Sequence, residues 1–562
     1  MDLFHYLHST LFTLHSSLST LSCKFQLLRY HTPGHFIWVH PPPLRRIDCG
    51  QGGIFLRKAR PIFYSAMMLT GVNLLLRFAG TTFQVYLSRR IGAEGIGLLQ
   101  LTLSVGNLAM VAGMGGIRTA TMYLTAGELG RHQPRNVTRV LSACFLYSIL
   151  FSLTVGLGLY FGAPYLAEHW IGSTGTVGAL RLLGAFLPVV CLCGVMSGYF
   201  TAAKRIGTLA LVEIAEQLCA MAATMALLTL WAGADAERAC ISVVFGASLG
   251  SCLTLTLLLL LRLLERPAPG EAFPLRKRLL SAALPLALAD VVRSGISTTE
   301  NLMVPRRLGL FPGEHNPLAA FGRVSGMVFP VMMFPACILF ALAELLIPEL
   351  AGCAAAGDEG RIRHLTKRGL WAAMLYGVFF GGLIFLLAEP LCLKLYASVD
   401  AGRSLRFYAL MIPFLYCDAI TDAMTKGLGQ QKICVRYNIL TSSMDVALLY
   451  VLLPRFGMVG YYVSFLVTHL LNFLLSLGRL QRITQVKIPF HTPVLAFCAA
   501  VIAAWGAQWL RAVWLYIPLM GALLVLFGVV RREDGRWLLG LLRRGHVRRP
   551  GPAGSFSESP AG

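Results

Sequence analysis

Charged residues, and acidic ones above all, are scarce in this sequence of 562 residues. Lysine and arginine number 49 and aspartate and glutamate only 26, so that charged residues make up 13% of the chain. Soluble globular domains usually carry about 25%, and the composition therefore excludes a soluble globular protein. No lysine is followed by serine or threonine, which excludes the phosphate-binding loop of an in-chain ATPase.

Paired cysteines are missing as well. The 14 cysteines include no CxxC pair, and no histidine stands at metal-ligand spacing from them. Most of them lie within apolar stretches, where cysteine serves as a small buried residue. The sequence therefore predicts neither a disulfide framework nor a metal site, and we expect no cofactor.

Long apolar runs are what the chain has in abundance. Hydrophobic residues make up 56% of it and the mean hydropathy is +0.66. Runs of about 20 residues can cross the hydrocarbon core of a bilayer as helices. The sequence thus predicts an all-α integral membrane protein with about fourteen spans, at 63–87, 96–116, 139–161, 177–200, 208–232, 240–263, 279–304, 321–348, 369–390, 405–427, 436–454, 459–480, 493–511 and 513–530.

The net charge of +23 comes from short loops between these runs. Lysine and arginine, such as Arg276, Lys277 and Arg278, are roughly twice as frequent on one side of the predicted bilayer as on the other. The basic side is expected to face the cytoplasm, which places both termini there. The positive charge is therefore interpreted as a topology signal, and no nucleic-acid partner is predicted.

A pattern of landmarks occurs twice. Residues 89–92 (RRIG) return as residues 306–309 (RRLG), and Gly97 returns as Gly322. Further pairs keep the same order: Pro188 and Pro413, Arg139 and Arg368, and Tyr147 and Tyr376. Each copy covers six predicted spans, an even number, so both copies insert in the same orientation and are related by an axis along the membrane normal. Repeated half-bundles of this kind are typical of transporters whose two lobes rock around a central site.

The repeat defines the predicted organisation of the chain. An N-terminal extension (1–60) precedes a first lobe of six spans (61–265), a second lobe of six spans (266–485), two further spans (486–531) and a cytoplasmic tail (532–562). The extension is rich in histidine and proline and does not fit the plan, and we expect it to be disordered. Translation is expected to start near Met67 or Met68.

Ionisable side chains inside spans are costly, and by default they face a polar cavity or one another. The first span contains Arg77 and the eighth Arg323. In the seventh span, Asp290, Arg293 and Glu300 share one helical face because they are three and seven residues apart. We predict Arg77, Arg323 and Arg293 as ligands of an anionic substrate, since guanidinium binds phosphate oxygens in a bidentate manner.

Acidic residues form the second predicted group. Glu213 and Glu216, three residues apart in the fifth span, lie on one helical face. Together with Asp290 and Glu300 they are predicted to line the cavity or to bind a coupling ion.

Four stretches of the chain resemble a known family. Residues 92–100 (GAEGIGLLQ) and 113–120 (GMGGIRTA), and in the second half residues 321–323 (FGR) and 346–350 (LIPEL), resemble the stage V sporulation protein B family. This is a polysaccharide-transporter family of the multidrug/oligosaccharidyl-lipid/polysaccharide (MOP) exporter superfamily. The similarity covers roughly residues 60–530.

The resemblance implies a flippase for undecaprenyl-diphosphate-linked saccharides in the cytoplasmic membrane, serving polysaccharide, peptidoglycan or spore-cortex synthesis. Arg77 and Arg323 fall on positions where relatives carry arginines of a cationic central cavity. Lipid II flippases carry a further arginine where this chain has Phe83. The implied partners are the lipid-linked saccharide, the bilayer and enzymes of cell-wall or polysaccharide synthesis, and the protein is expected to be a monomer rather than an enzyme.

Two alternatives stay open. A cation-coupled multidrug exporter of the same superfamily predicts a cavity dominated by acidic residues. A membrane-embedded glycosyltransferase or ligase predicts paired carboxylates on a large outer loop, and the sequence has no long loop between its spans.

Overall fold

The computed structural model describes residues 52–130, 134–233, 235–264, 276–486, 491–510 and 512–530. Over these ranges the chain forms helices joined by turns, which confirms the predicted all-α membrane fold. In chain order the helices are α1 Gly52–Met114, α2 Ile117–Gly130, α3 Pro134–Tyr165, α4 Val177–Ala202, α5 Ile206–Leu227, α6 Ala236–Leu263, α7 Arg276–Leu308, α8 Pro317–Gly322, α9 Phe329–Met333, α10 Ala336–Ala356, α11 Glu359–Tyr396, α12 Val399–Ala409, α13 Ile412–Gly427, α14 Gln431–Phe456, α15 Met458–Thr484, α16 His491–Trp509 and α17 Tyr516–Leu526. A π-helical turn, Arg323–Val328, joins α8 to α9.

Two predicted segments fall largely or wholly outside these ranges. The predicted N-terminal extension lies outside the described residues up to residue 51, and the predicted tail from residue 532 lies outside them entirely.

Helix α1 reverses direction at Gly92. A straight helix of its 63 residues would be about 95 Å long, roughly three times the thickness of a bilayer core. Gly92 interrupts it with φ 71° and ψ −179°, a conformation that glycine adopts without steric cost. Gln84 and Ile96, on either side of the break, both contact Gly326, so the chain returns alongside itself. Helix α1 thus contains the first two predicted spans, and we call this end of the bundle the Gly92 end.

The number of spans agrees only partly with the sequence. Ten of the described helices are long and apolar enough to cross a membrane, or eleven if the bent pair α12–α13 is one span. The first two predicted spans are continuous in α1, and α17 has only 11 residues. The count of fourteen stays a prediction.

The two predicted lobes approach each other closely at the Gly92 end. A β-carbon on Gly322 would overlap the carbonyl oxygen of Ala93 and lie 2.7 Å from the amide nitrogen of Gly97. A β-carbon on Gly97 would in turn overlap the carbonyl oxygen of Leu318. Gly97 and Gly322 are equivalent positions of the sequence repeat, so the repeats touch at corresponding residues. Such contacts are expected where an axis relating two repeats passes between them.

Polar contacts reinforce this junction. The Nε atom of Arg89 donates to the carbonyl oxygen of Leu395 at 2.5 Å, and its Nη2 atom donates to that of Lys394. These carbonyls belong to the last turn of α11, where a helix leaves acceptors without intrahelical partners. The Nδ2 atom of Asn316 donates to Glu94 Oε2 at 2.9 Å. The Gly92 end is therefore closed in this conformation.

Within the first half, α3 and α4 pack through a reciprocal pair of glycines. A β-carbon on Gly156 would lie 2.6 Å from the carbonyl oxygen of Gly184, and one on Gly184 would lie 2.7 Å from that of Gly156. Small residues at such crossings let two helix backbones come together in a membrane. Gly158 lies two residues further along the same helix, and a β-carbon built on it would have no atom within 4 Å.

We expect Gly156→Ala to destabilise the protein and Gly158→Ala to leave it unchanged or slightly more stable. The added methyl group at 156 must separate α3 from α4, and overpacking of this kind costs about 1–3 kcal/mol. At 158 the methyl group meets open space, and alanine favours the helix by about 1 kcal/mol over glycine. Thermal unfolding of the two variants in detergent measures the difference, and equal melting temperatures would contradict this packing.

Helices α16 and α17 belong to a compact unit separate from the preceding helices. Helix α16 buries a stripe of small side chains at Ala496, Ala499, Ala503 and Ala507. Near the turn to α17 it exposes large aromatic ones, namely Trp505, Trp509 and, just beyond the helix, Trp514. Tryptophan is enriched where membranes meet water, so the turn is suited to an interfacial position.

Candidate functional site

Arg77 lies deep in the bundle at the junction of the two halves. It precedes the turn at Gly92 by 15 residues, about 22 Å along the helix axis. Its side chain is only 8% exposed. The guanidinium group is 5.3 Å from the centre of the Phe340 ring, and its Nη1 atom donates to the carbonyl oxygen of Met333 at 3.5 Å. A residue of the first half is thus held by main chain and aromatic groups of the second half.

The Met333 carbonyl is available because the second half breaks its helix there. Pro335 has no amide hydrogen, and α9 ends at Met333 before α10 begins at Ala336. The amide of Cys337, which would reach Met333 in a continuous helix, donates instead to the carbonyl oxygen of Phe334 at 3.4 Å. The break therefore presents a backbone acceptor to Arg77.

A buried polar contact between the halves lies at a similar depth. Asn301 on α7 donates through Nδ2 to Ser104 Oγ at 3.0 Å, and Thr298 donates through Oγ1 to the Ser104 carbonyl oxygen at 3.1 Å. All three side chains are buried. These residues were not predicted, since small polar residues inside spans carry no charge signal and the partners are almost 200 residues apart.

Arg323 lies elsewhere. It opens the π-helical turn after α8, near the Gly92 end, and its Nη2 atom is 4.0 Å from Glu314 Oε1. Ten residues, about 15 Å of helix, separate it from Met333 and hence from the guanidinium group of Arg77. In this conformation the structure does not bring the two predicted headgroup arginines together. The assignment of Arg323 as a substrate ligand stays a prediction.

Asp290 and Arg293 pair with each other on α7. The Arg293 Nη2 atom is 3.1 Å from Asp290 Oδ1, one helical turn away, and both side chains are about two-fifths exposed. Such a pair is neutral overall and partly accessible. The predicted shared face is confirmed for these two residues, while their role in binding stays a prediction.

Glu300 lies close to Tyr408 and Tyr461, which border a polar cluster of the second half. At its centre is Asp445 on α14, which is only 6% exposed. Its Oδ1 atom accepts hydrogen bonds from Ser464 Oγ at 2.6 Å and Thr468 Oγ1 at 3.1 Å. The two hydroxyls stand one turn apart on α15.

Glu213 and Glu216 belong to a second polar cluster, inside the first half. Glu216 accepts hydrogen bonds from Ser251 at 3.1 Å and Thr254 at 2.8 Å, both on α6. Arg118, just after the end of α1, is close enough to interact electrostatically with both glutamates. The predicted common face of the glutamates therefore turns toward hydroxyls and a basic residue. In the described part of the chain, no group of three or more His, Cys, Asp or Glu residues is arranged to hold a metal ion.

A family assignment follows from comparison with known proteins. Residues 63–351, about half of the chain, match the family described as "Polysaccharide biosynthesis protein". The chain belongs to this family of integral membrane proteins, and the resemblance predicted from residues 92–120 and 321–350 is confirmed.

Two kinds of relative agree with this assignment. The chain is 20% identical over 453 residues to stage V sporulation protein B of Bacillus subtilis (strain 168), covering 78% of this chain and 86% of that protein. Its fold is similar to that of a solved structure titled "Lipid II flippase MurJ, inward closed conformation", with a TM-score of 0.64, 11% identity, and coverage of 85% of this chain and 100% of the other.

The fold is also similar to an inward-facing multidrug resistance transporter of the MATE family of the MOP superfamily. The TM-score is 0.59 with 15% identity, over 74% of this chain and 96% of the other. The protein is accordingly a multi-pass membrane protein that shares its fold with a solved transporter of the MOP superfamily and with a solved flippase.

Proposed function

We propose that this protein is a flippase that moves a lipid-linked, undecaprenyl-diphosphate-type oligosaccharide or peptidoglycan precursor across the cytoplasmic membrane. The observation that carries the proposal is the buried Arg77 at the junction of two helical halves, in a chain of the polysaccharide biosynthesis family. The saccharide would serve polysaccharide, cell-wall or spore-cortex synthesis.

The chemistry of Arg77 suits a diphosphate. A guanidinium group offers several N–H donors in one plane and binds phosphate oxygens by charge-assisted hydrogen bonds. The carbonyl oxygen of Met333, which it contacts at 3.5 Å, is neutral and a weak acceptor by comparison. An anionic headgroup that reaches this depth can therefore replace the carbonyl, while the polyprenyl tail remains in lipid.

Transport requires that the closed Gly92 end opens after the headgroup has bound. The contacts to be broken are the overlapping backbones around Gly97 and Gly322 and the hydrogen bonds of Arg89 and Asn316. Apolar side chains, among them Ile96 and Leu318, also lie at these contacts and would separate with them. Rocking of the two halves about the level of Arg77 then presents the headgroup to the other side.

The energy source would be an ion gradient, the membrane potential or removal of the product, since the chain has no ATPase loop. One charge crossing 100 mV releases about 2.3 kcal/mol. The candidate coupling groups are Glu213 and Glu216 in the first half, and Asp290 and Glu300 with Asp445 in the second.

We place both termini in the cytoplasm because the basic loops fall on that side. This orientation puts the Gly92 end at the outer face. The proposed partners are the lipid-linked saccharide, the bilayer and enzymes of cell-wall or polysaccharide synthesis, and the transport unit is a monomer.

Reconstitution tests the proposal. Purified protein in liposomes should translocate fluorescent undecaprenyl-diphosphate saccharides, and a matched undecaprenyl alcohol derivative without the diphosphate should remain in its leaflet. The saccharide and the ion gradient are then varied separately. Equal rates for the diphosphate and the alcohol, or no translocation of any diphosphate saccharide, would contradict the proposal.

A cation-coupled multidrug exporter is the second candidate. The buried Asp445, which lies near the same two tyrosines as Glu300, and the similarity of fold to a MATE transporter favour it. Export of cationic dyes by cells that express the protein, abolished by Asp445→Asn, would support this alternative.

A further inference from the structure

The helix break at Pro335 is stabilised by side chains from three other helices. Tyr416 on α13 donates its hydroxyl to the Met332 carbonyl oxygen at 2.8 Å, and Tyr376 on α11 donates to that of Pro335 at 2.8 Å. Arg77 on α1 donates to the Met333 carbonyl between them. A break in a membrane helix persists only where such groups satisfy the freed backbone atoms. Here the break has a tyrosine on each side and the headgroup arginine in the middle.

The backbone bonds that remain at the break are weak ones. The amides of Phe334, Cys337 and Ile338 donate to carbonyls three residues earlier at 3.3, 3.4 and 3.4 Å. Bonds of this three-residue type have poorer geometry than those of an α-helix, and where they occur within a helix they often mark a hinge. The angle between α9 and α10 therefore depends on the side chains that bond the freed carbonyls.

The first half carries a matching break with a matching tyrosine. Gly115 and Gly116, with φ of 49° and 69°, separate α1 from α2. Tyr147 on α3 is buried and donates its hydroxyl to the Gly115 carbonyl oxygen at 3.1 Å. Tyr147 and Tyr376 are equivalent positions of the sequence repeat. In both halves, therefore, the second predicted span is broken and a tyrosine of the third predicted span donates a hydrogen bond to the break.

From this arrangement we infer that Arg77 stabilises a hinge at Pro335 by its hydrogen bond to the Met333 carbonyl oxygen. An anionic headgroup releases the hinge when it binds the guanidinium group in place of that carbonyl. Tyr376 and Tyr416 are positioning residues that hold the flanking carbonyls. The inference rests on the proposed function, because it makes the headgroup the ligand that competes for Arg77. It explains how binding in one half changes the shape of a helix in the other.

The hinge can be tested first without any ligand. Hydrogen exchange of the amides at 334–338 should be about fivefold faster in Tyr376→Phe than in wild type, the factor that corresponds to loss of one ordinary hydrogen bond. Tyr396→Phe is the matched control, since Tyr396 lies on the same helix, is buried, and has a hydroxyl without a hydrogen-bond partner. Equal exchange in the two variants would overturn the hinge.

A second experiment adds undecaprenyl diphosphate as the ligand and measures its binding by the increase in thermal stability. In wild type, binding should accelerate exchange at 334–338 by a similar factor, whereas Arg77→Ala should show fast exchange with or without the lipid. Binding that leaves this segment unchanged would overturn the inference while the proposed function stands. Failure of undecaprenyl diphosphate to bind would overturn the proposed diphosphate headgroup and, with it, the role of Arg77 at the hinge. A difference between Tyr376→Phe and Tyr396→Phe would in that case show only that Tyr376 stabilises the helix break.

Discussion

Arg77→Ala should reduce translocation of undecaprenyl-diphosphate saccharides by about 100-fold or more, with normal insertion into the membrane. The variant loses charge-assisted hydrogen bonds to the headgroup, each worth about 1.5–3 kcal/mol, and every 1.4 kcal/mol is a factor of ten. Initial rates in proteoliposomes, at matched protein density, measure the effect.

The control for this prediction is Arg403→Ala. Arg403 is 73% exposed at the Gly92 end and pairs with Asp400 at 3.5 Å on the same helix. The substitution therefore removes a positive charge without changing the junction of the halves. Its rate should stay within twofold of wild type. Comparable rates for Arg77→Ala and Arg403→Ala would remove Arg77 from the site.

Gly322→Ala should slow translocation about tenfold by preventing closure of the Gly92 end. The new methyl group would overlap the carbonyl oxygen of Ala93, and neither backbone can yield without parting the two halves. Overpacking costs about 1–3 kcal/mol, and here the cost falls on the closed state alone. Initial rates of translocation in the same liposome assay measure the loss.

Gly352→Ala is the matched control on α10 of the same half. A β-carbon at Gly352 has no atom within 4 Å, so this variant should transport as wild type does. Wild-type rates for both variants would mean that the tight contact at Gly322 does not have to form during the cycle.

The sequence predicted the features that depend on composition and on repetition. Apolar runs predict helices because a membrane leaves no other way to satisfy the backbone within one segment. The equivalence of Gly97 with Gly322, and of Tyr147 with Tyr376, is visible in the sequence and corresponds to equivalent roles in the structure. Repetition constrains geometry because two copies of one fold meet at equivalent positions.

The candidate site was less accessible to such reasoning. Arg77 and Arg323 look alike in sequence, each a lone arginine in an apolar run, yet only Arg77 reaches the broken helix at Met333. The partners of Ser104, Arg89 and Arg77 lie about 200 to 300 residues away, and no local pattern encodes such contacts. The helix break at Pro335 was visible as a proline, but its three hydrogen-bond donors were not.

The central claim is that headgroup binding at Arg77 opens the Gly92 end. Spin labels on non-canonical residues at positions 168 and 403, exposed at this end in the first and second halves, report the distance between the halves by pulsed dipolar spectroscopy. Undecaprenyl diphosphate should add a population at longer distance in wild type and none in Arg77→Ala. An unchanged distance distribution in wild-type protein with the lipid bound would contradict the account.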